Sequence, residues 1–125
     1  MKKVILLALL LAIPGFSQDR HPSKLGKILY RSGQAALILA HSLDIETSWG
    51  KHELNPLLQS PDQTFGARGA AIKIGIVGLG LVAGELIVRK HPKMQPYVGI
   101  ADFDAAALES SVVVNNLQFS KAVLR

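Results

Sequence analysis

Residues 70–88 read Ala70-Ala71-Ile72-Lys73-Ile74-Gly75-Ile76-Val77-Gly78-Leu79-Gly80-Leu81-Val82-Ala83-Gly84-Glu85-Leu86-Ile87-Val88, and only Lys73 and Glu85 carry charge. That is close to the roughly 20 apolar residues a helix needs to cross a bilayer. The stretch also imitates the start of a dinucleotide-binding fold. Ile72–Val77 resembles a first strand, and Gly78-Leu79-Gly80-Leu81-Val82-Ala83 fits G-x-G-x-x-G/A. Asp102 supplies an acidic group about 20 residues further on. Context opposes that reading. Twenty-three residues follow Asp102, too few to complete a parallel sheet, and nothing before Ile72 offers further strand–helix units. The block is read as a membrane helix, with a nicotinamide-binding fragment at Gly78–Ala83 as the rival.

Composition agrees with the membrane reading. A chain of 125 residues has room for one domain. It is 49% hydrophobic and 18% charged, with a mean hydropathy of +0.29, whereas soluble domains carry about 25% charged residues. Without cysteine there is no disulfide framework, thiolate metal site or thiol nucleophile. The net charge of +5 does not indicate nucleic acid. The cations lie in small groups (Lys2 and Lys3; Arg20 to Arg31; Arg89 to Lys93; Lys121 and Arg125) that flank apolar blocks, as lipid headgroups favour.

Residues 1–17 read as an export signal: Lys2 and Lys3, an apolar run from Val4 to Ile13, helix breakers Pro14 and Gly15, and cleavage after Ser17. A basic linker, 18–26, follows. A helical membrane domain is expected over 27–119, with helices at about 27–49, 69–90 and 97–119, then a tail at 120–125. In the first helix Gln34, His41, Asp44 and Ser48 form one polar stripe on an otherwise apolar cylinder, suited to facing inward in a bundle. Trp49 closes that helix as an interfacial residue. In the second, Lys73 is close enough to the end to snorkel, and Glu85 stands four residues before Arg89, a favourable pair. Gly80 and Gly84 give small-xxx-small spacing for close helix packing. The third is more polar, and its status as a span is open.

Asp44, Thr47, Gly50, Glu53, Asn55 and Pro56 form the most distinctive polar run. Gly50 suits the left-handed position after a helix. Pro56 suits the first turn of a new helix, with Asn55 as its N-cap. Asp44 and Glu53 can tie the loop to the helix ends. His41, Asp44, His52 and Glu53 have the chemistry of a small metal site, and a proton site around Asp44 and Glu53 is the related alternative. No serine sits in a recognisable nucleophile arrangement.

The pattern D-x-x-T/S, then G, then E-x-N-P-L resembles a family of small, uncharacterised bacterial membrane proteins. The resemblance covers about Ala36 to Leu58 and extends loosely through the next helix. It implies two to four hydrophobic helices, no assigned activity, and a polar residue in the last helix at Asn115 or Asn116. Together these readings give an all-α transmembrane bundle with two or three spanning helices behind a signal peptide. It belongs in the bacterial inner membrane, is not an enzyme and needs no cofactor. Its partners are the lipid bilayer and a second copy or another membrane protein.

Overall fold

The computed structural model describes residues 23–123, with side chains as far as Gln118. The expected signal segment 1–17 and most of the linker lie outside the described residues. Three long helices dominate: α1 (Lys24–Ser48), α2 (Ala67–Lys90) and α3 (Gln95–Val123), with a 3-10 turn at Pro92–Met94. The described residues are all-helical apart from their loops, and the helices form a bundle.

Local chemistry sets the helix ends. α1 begins three residues ahead of Lys27 because the Ser23 hydroxyl accepts from the Gly26 N–H at 2.9 Å, an N-cap. Beyond Ser48, Gly50 adopts φ +74°, a conformation open to glycine without a Cβ clash. α3 starts at Gln95, and Pro96 in its first turn forgoes an N–H that would have no helical partner. Its continuation to Val123 makes helix of most of the expected tail.

α1 and α3 run parallel and share the main interface. Gly26 lies against Pro96, Gly33 against Gly99, His41 against Glu109 and Ser48 against Asn116. The buried positions of α1 are Gly26, Tyr30, Gly33, Leu37, Ala40 and Asp44, four and three apart in alternation. On α3, Gly99, Ala106 and Val113 are buried, each followed three residues later by a half-buried polar group, Asp102, Glu109 and Asn116. A repeat of 3.5 residues makes the seam of a left-handed helix pair. Small residues recur every seventh position, so the backbones come very close. A Cβ on Gly33 would stand 2.4 Å from the Gly99 carbonyl oxygen, and one on Gly99 would stand 2.5 Å from that of Leu29. Both obstacles are backbone, so no rotamer change relieves them.

α2 runs antiparallel and packs more lightly on the other two. Gly69, Ala70, Gly84 and Val88 are its buried positions. Ile74, Ile76, Leu79, Val82 and Leu86 are exposed. Between α1 and α2 runs an apolar groove of about 200 Å³, lined by Ile38, Ile45, Ile74, Val77 and Leu81, with His41 on its wall. Ile72–Ala83 is continuous helix. The strand–turn–helix that a dinucleotide fingerprint requires is therefore not formed, which removes the rival reading at its first step.

The connection from α1 to α2 folds back on itself. Gly50 N–H donates to the Phe65 carbonyl, and Phe65 N–H returns a bond to that of Lys51, each at 2.8 Å. Phe65 is buried, with Trp49 edge-on to its ring at 6.4 Å between centroids. At the tip, Gln63 N–H donates to Ser60 O and Ser60 N–H to Thr64 O, each at 2.9 Å. Asp62 accepts from the Thr64 hydroxyl at 2.8 Å and from its N–H at 3.1 Å. These two bonds, the hydroxyl's first, hold the Asp62 carboxyl below the usual carboxylate range.

The crossing generates a prediction. G33A and G99A each insert a methyl group into backbone, and overpacking of this kind costs roughly 1–3 kcal/mol or more. G78A meets nothing within 4 Å and is expected to gain up to about 1 kcal/mol, because alanine is the better helix former. Thermal unfolding of the three variants checks this. Equal melting temperatures for G33A and G78A would refute the close crossing.

Candidate functional site

Asp44 is the one charged side chain with no exposed surface among the described residues. A carboxylate withdrawn from solvent is costly unless it is paired and hydrogen-bonded, and Asp44 has both kinds of partner. Lys73 of α2 makes a short ion pair with Asp44 Oδ2. Oδ1 accepts from the Ser48 hydroxyl one turn on at 3.0 Å and from the Asn116 amide of α3 at 3.3 Å. Asn116 also donates to Ser48 Oγ at 2.8 Å and lies 3.4 Å from Thr47 Oγ1. Its carbonyl accepts from Lys51 Nζ at 2.8 Å, which carries the network to the loop.

Lys73 reaches further. Its ammonium lies 3.2 Å from Glu109 Oε1 of α3, and that same oxygen is 3.0 Å from His41 Nδ1 of α1. No hydrogen bond aligns between the imidazole and Glu109. The ammonium also stands 5.9 Å from the centre of the Phe65 ring, a cation–π distance. Lys73 therefore does not snorkel outward as its place near the helix end predicts. Its side chain is 17% exposed and turned into the bundle. Asp44 and Glu109 thus converge on the one Lys73 ammonium, with the His41 ring beside Glu109.

A second polar contact holds the far end of α2. The Tyr30 hydroxyl donates to Glu85 Oε2 at 2.6 Å and accepts from Gln34 Nε2 at 2.9 Å. Arg89 Nε donates to Glu85 Oε1 at 3.1 Å, the expected i, i+4 pair, and Arg31 NH1 lies 3.8 Å from Oε2. α2 is thus fastened at Lys73 and at Glu85, with the apolar groove between. The inward polar stripe of α1 is realised: Gln34, His41, Asp44 and Ser48 all contribute.

The motif residues divide between two tasks. Asp44, Thr47 and Asn116 join the buried network, while Asn115 is exposed. Gly50 turns the chain out of α1. Glu53 and Asn55 organise the loop instead: Glu53 Oε1 accepts from the Asn55 N–H at 2.8 Å, and Asn55 Oδ1 from the Leu57 N–H at 3.1 Å. The Glu53 carbonyl accepts from the Gln59 amide. Pro56 opens a turn and not a helix. The four proposed metal ligands are not gathered. His41 faces Glu109, Asp44 is filled by Lys73, Glu53 is engaged in the loop and His52 is exposed. Among the described residues no group of three or more His, Asp or Glu side chains could hold a metal ion. Nor is a hydroxyl poised for attack: Ser42, Ser110 and Ser111 donate to backbone carbonyls and Ser48 to Asp44. Of the two proposed packing glycines, Gly84 is buried, with Val98 Cγ1 at 3.1 Å from a would-be Cβ, and Gly80 faces open space.

No protein-family model, curated protein or solved structure matches this chain. The roles assigned to these residues rest on their geometry.

The network predicts an asymmetric response to mutation. K73M leaves Asp44 and Glu109 unpaired, and breaking a buried pair from one side costs roughly 3–5 kcal/mol. Removing the partners as well, in D44L/K73M/E109L, is expected to recover most of that loss. Unfolding of both variants in detergent micelles reads the difference, and a K73M melt equal to wild type would show that the ion pairs do not hold α2.

Proposed function

We propose that the chain is an integral protein of the bacterial inner membrane, a non-enzymatic helical bundle that associates with itself or with another membrane protein. The observation that carries this reading is α2. It is 24 residues long with a mean hydropathy of 2.0 over its most apolar window, and 11% of that window is buried within the bundle. At 1.5 Å per residue it spans about 36 Å, enough for a hydrocarbon core of about 30 Å. A helix this apolar, turned outward along nearly its whole length, needs an apolar medium around it.

The other two helices support the same environment. Leu25, Ile28, Ile38 and Leu39 of α1 and Leu108 and Val114 of α3 are exposed, while Asp44, Lys73 and Glu109 point inward. Inward-facing ionisable groups suit a bundle in lipid, although α3 also exposes Asp104 and Asn115, and among the described residues α2 alone has the length and apolarity of a span. Association is supported by the exposed surface of α2, where Gly75 and Gly80 have nothing within 4 Å of a would-be Cβ and leave room for a further helix to approach.

The test is fractionation of the expressed protein with an alkaline carbonate wash, followed by the mass of the mature N-terminus. Retention in the pellet with a chain starting near Gln18 is the expected result. Release into the supernatant would overturn the membrane assignment. In a crosslinking assay, G80L is expected to lose assembly without losing helix content.

A further inference from the structure

We infer that the end of the bundle carrying the N-terminus of α1 and the C-terminus of α2 binds the phosphate of an anionic phospholipid. The inference rests on the membrane reading and adds a headgroup class and a position. Lys24, Lys27 and Arg31 occupy the first two turns of α1, and Arg89 and Lys90 the last turn of α2. All five are exposed. The opposite end has no such excess: Lys51 and Arg68 stand there with Glu46, Glu53 and Asp62, and Lys51 is engaged with the Asn116 carbonyl.

Glu85 makes the basic end a site and not a scatter of cations. Its carboxylate draws Arg89 of α2 to 3.1 Å and Arg31 of α1 to 3.8 Å, so two guanidiniums from different helices converge on one group. Each guanidinium has five N–H donors in a planar fork. Arg89 gives one to Glu85 and Arg31 one to Gln34, and both side chains remain at least 70% exposed. The remaining donors suit a phosphodiester, which arginine can grip in bidentate fashion. Leu86 and Ile87 are exposed beside these cations, which puts an acyl-binding surface directly next to the phosphate-binding one. A lipid satisfies both, whereas a free phosphate satisfies only the cations.

The test uses the full chain in detergent, titrated with phosphatidylglycerol, phosphatidylcholine or inorganic phosphate, with retained lipid counted by native mass spectrometry. Selective retention of phosphatidylglycerol is expected, weakened about 30-fold in R31Q/R89Q and recovered only in part in R31K/R89K, which keeps the charge without the fork; unchanged helix content of both variants by circular dichroism controls for folding. Equal retention of both lipids by the wild type would overturn the inference, as would full competition by inorganic phosphate at matched concentration. Neither result touches the membrane reading, which fails separately if the protein does not float with vesicles of either lipid.

Discussion

The Lys73 ammonium lies between two carboxylates supplied by two other helices, and the arrangement of α2 depends on it. α1 and α3 hold each other through a continuous seam, but α2 has no comparable surface facing them. Its attachment is concentrated at Lys73, against Asp44 and Glu109, and at Glu85, against Tyr30. In a low-dielectric surrounding such pairs are strong and an orphaned partner is expensive. The ion pairs therefore fix the depth of α2 as well as its position, since a slip of one turn would separate all three charges.

The seam explains why the charges can be buried. Glycine or alanine at every seventh position brings α1 and α3 to backbone contact at Gly33 and Gly99. Asp44 and Glu109 lie further along the same seam, on the side α2 faces, so a single ammonium can serve both. Asn116, Ser48 and Thr47 complete the donors and acceptors around Asp44 and link the cluster to the loop through Lys51. The aliphatic side chains of α2 are left on the outside. Polar satisfaction inside and the apolar exposure of α2 are two consequences of one packing arrangement.

Much of this was legible in the sequence. The apolar block of α2, the polar stripe of α1 and the Gly50 turn each follow from local chemistry, and each is found; Asn55 accepts from the Leu57 N–H as expected, but Pro56 opens a turn where a helix was expected. The role of Lys73 was not legible. A lone cation near the end of an apolar helix reads as a snorkelling side chain until the direction it faces is known, and that depends on how three helices meet. Glu109 was missed for the same reason, although an inward Asp44 called for a cation and the apolar helix offered only one. Gly80 and Gly84 drew attention by their four-residue spacing. The closer contact arises from the seven-residue recurrence of Gly26, Gly33 and Ala40 with Gly99 and Ala106, a pattern spread too widely for a short motif to capture. The Phe65 ring against Lys73 and Trp49 joins segments that no local spacing connects.

The claim that lipid surrounds this bundle is tested most directly by spin labels on α2. The chain contains no cysteine, so single cysteines at Ile76, Leu79, Val82 and Leu86 can each carry one label without a background. The account predicts high collision rates with oxygen and low rates with a water-soluble nickel chelate at these four positions. Gly84 is expected to be shielded from both reagents, and Ser60 in the loop open to nickel. Nickel access at Leu79 and Val82 equal to that at Ser60 would place α2 in water and contradict the account.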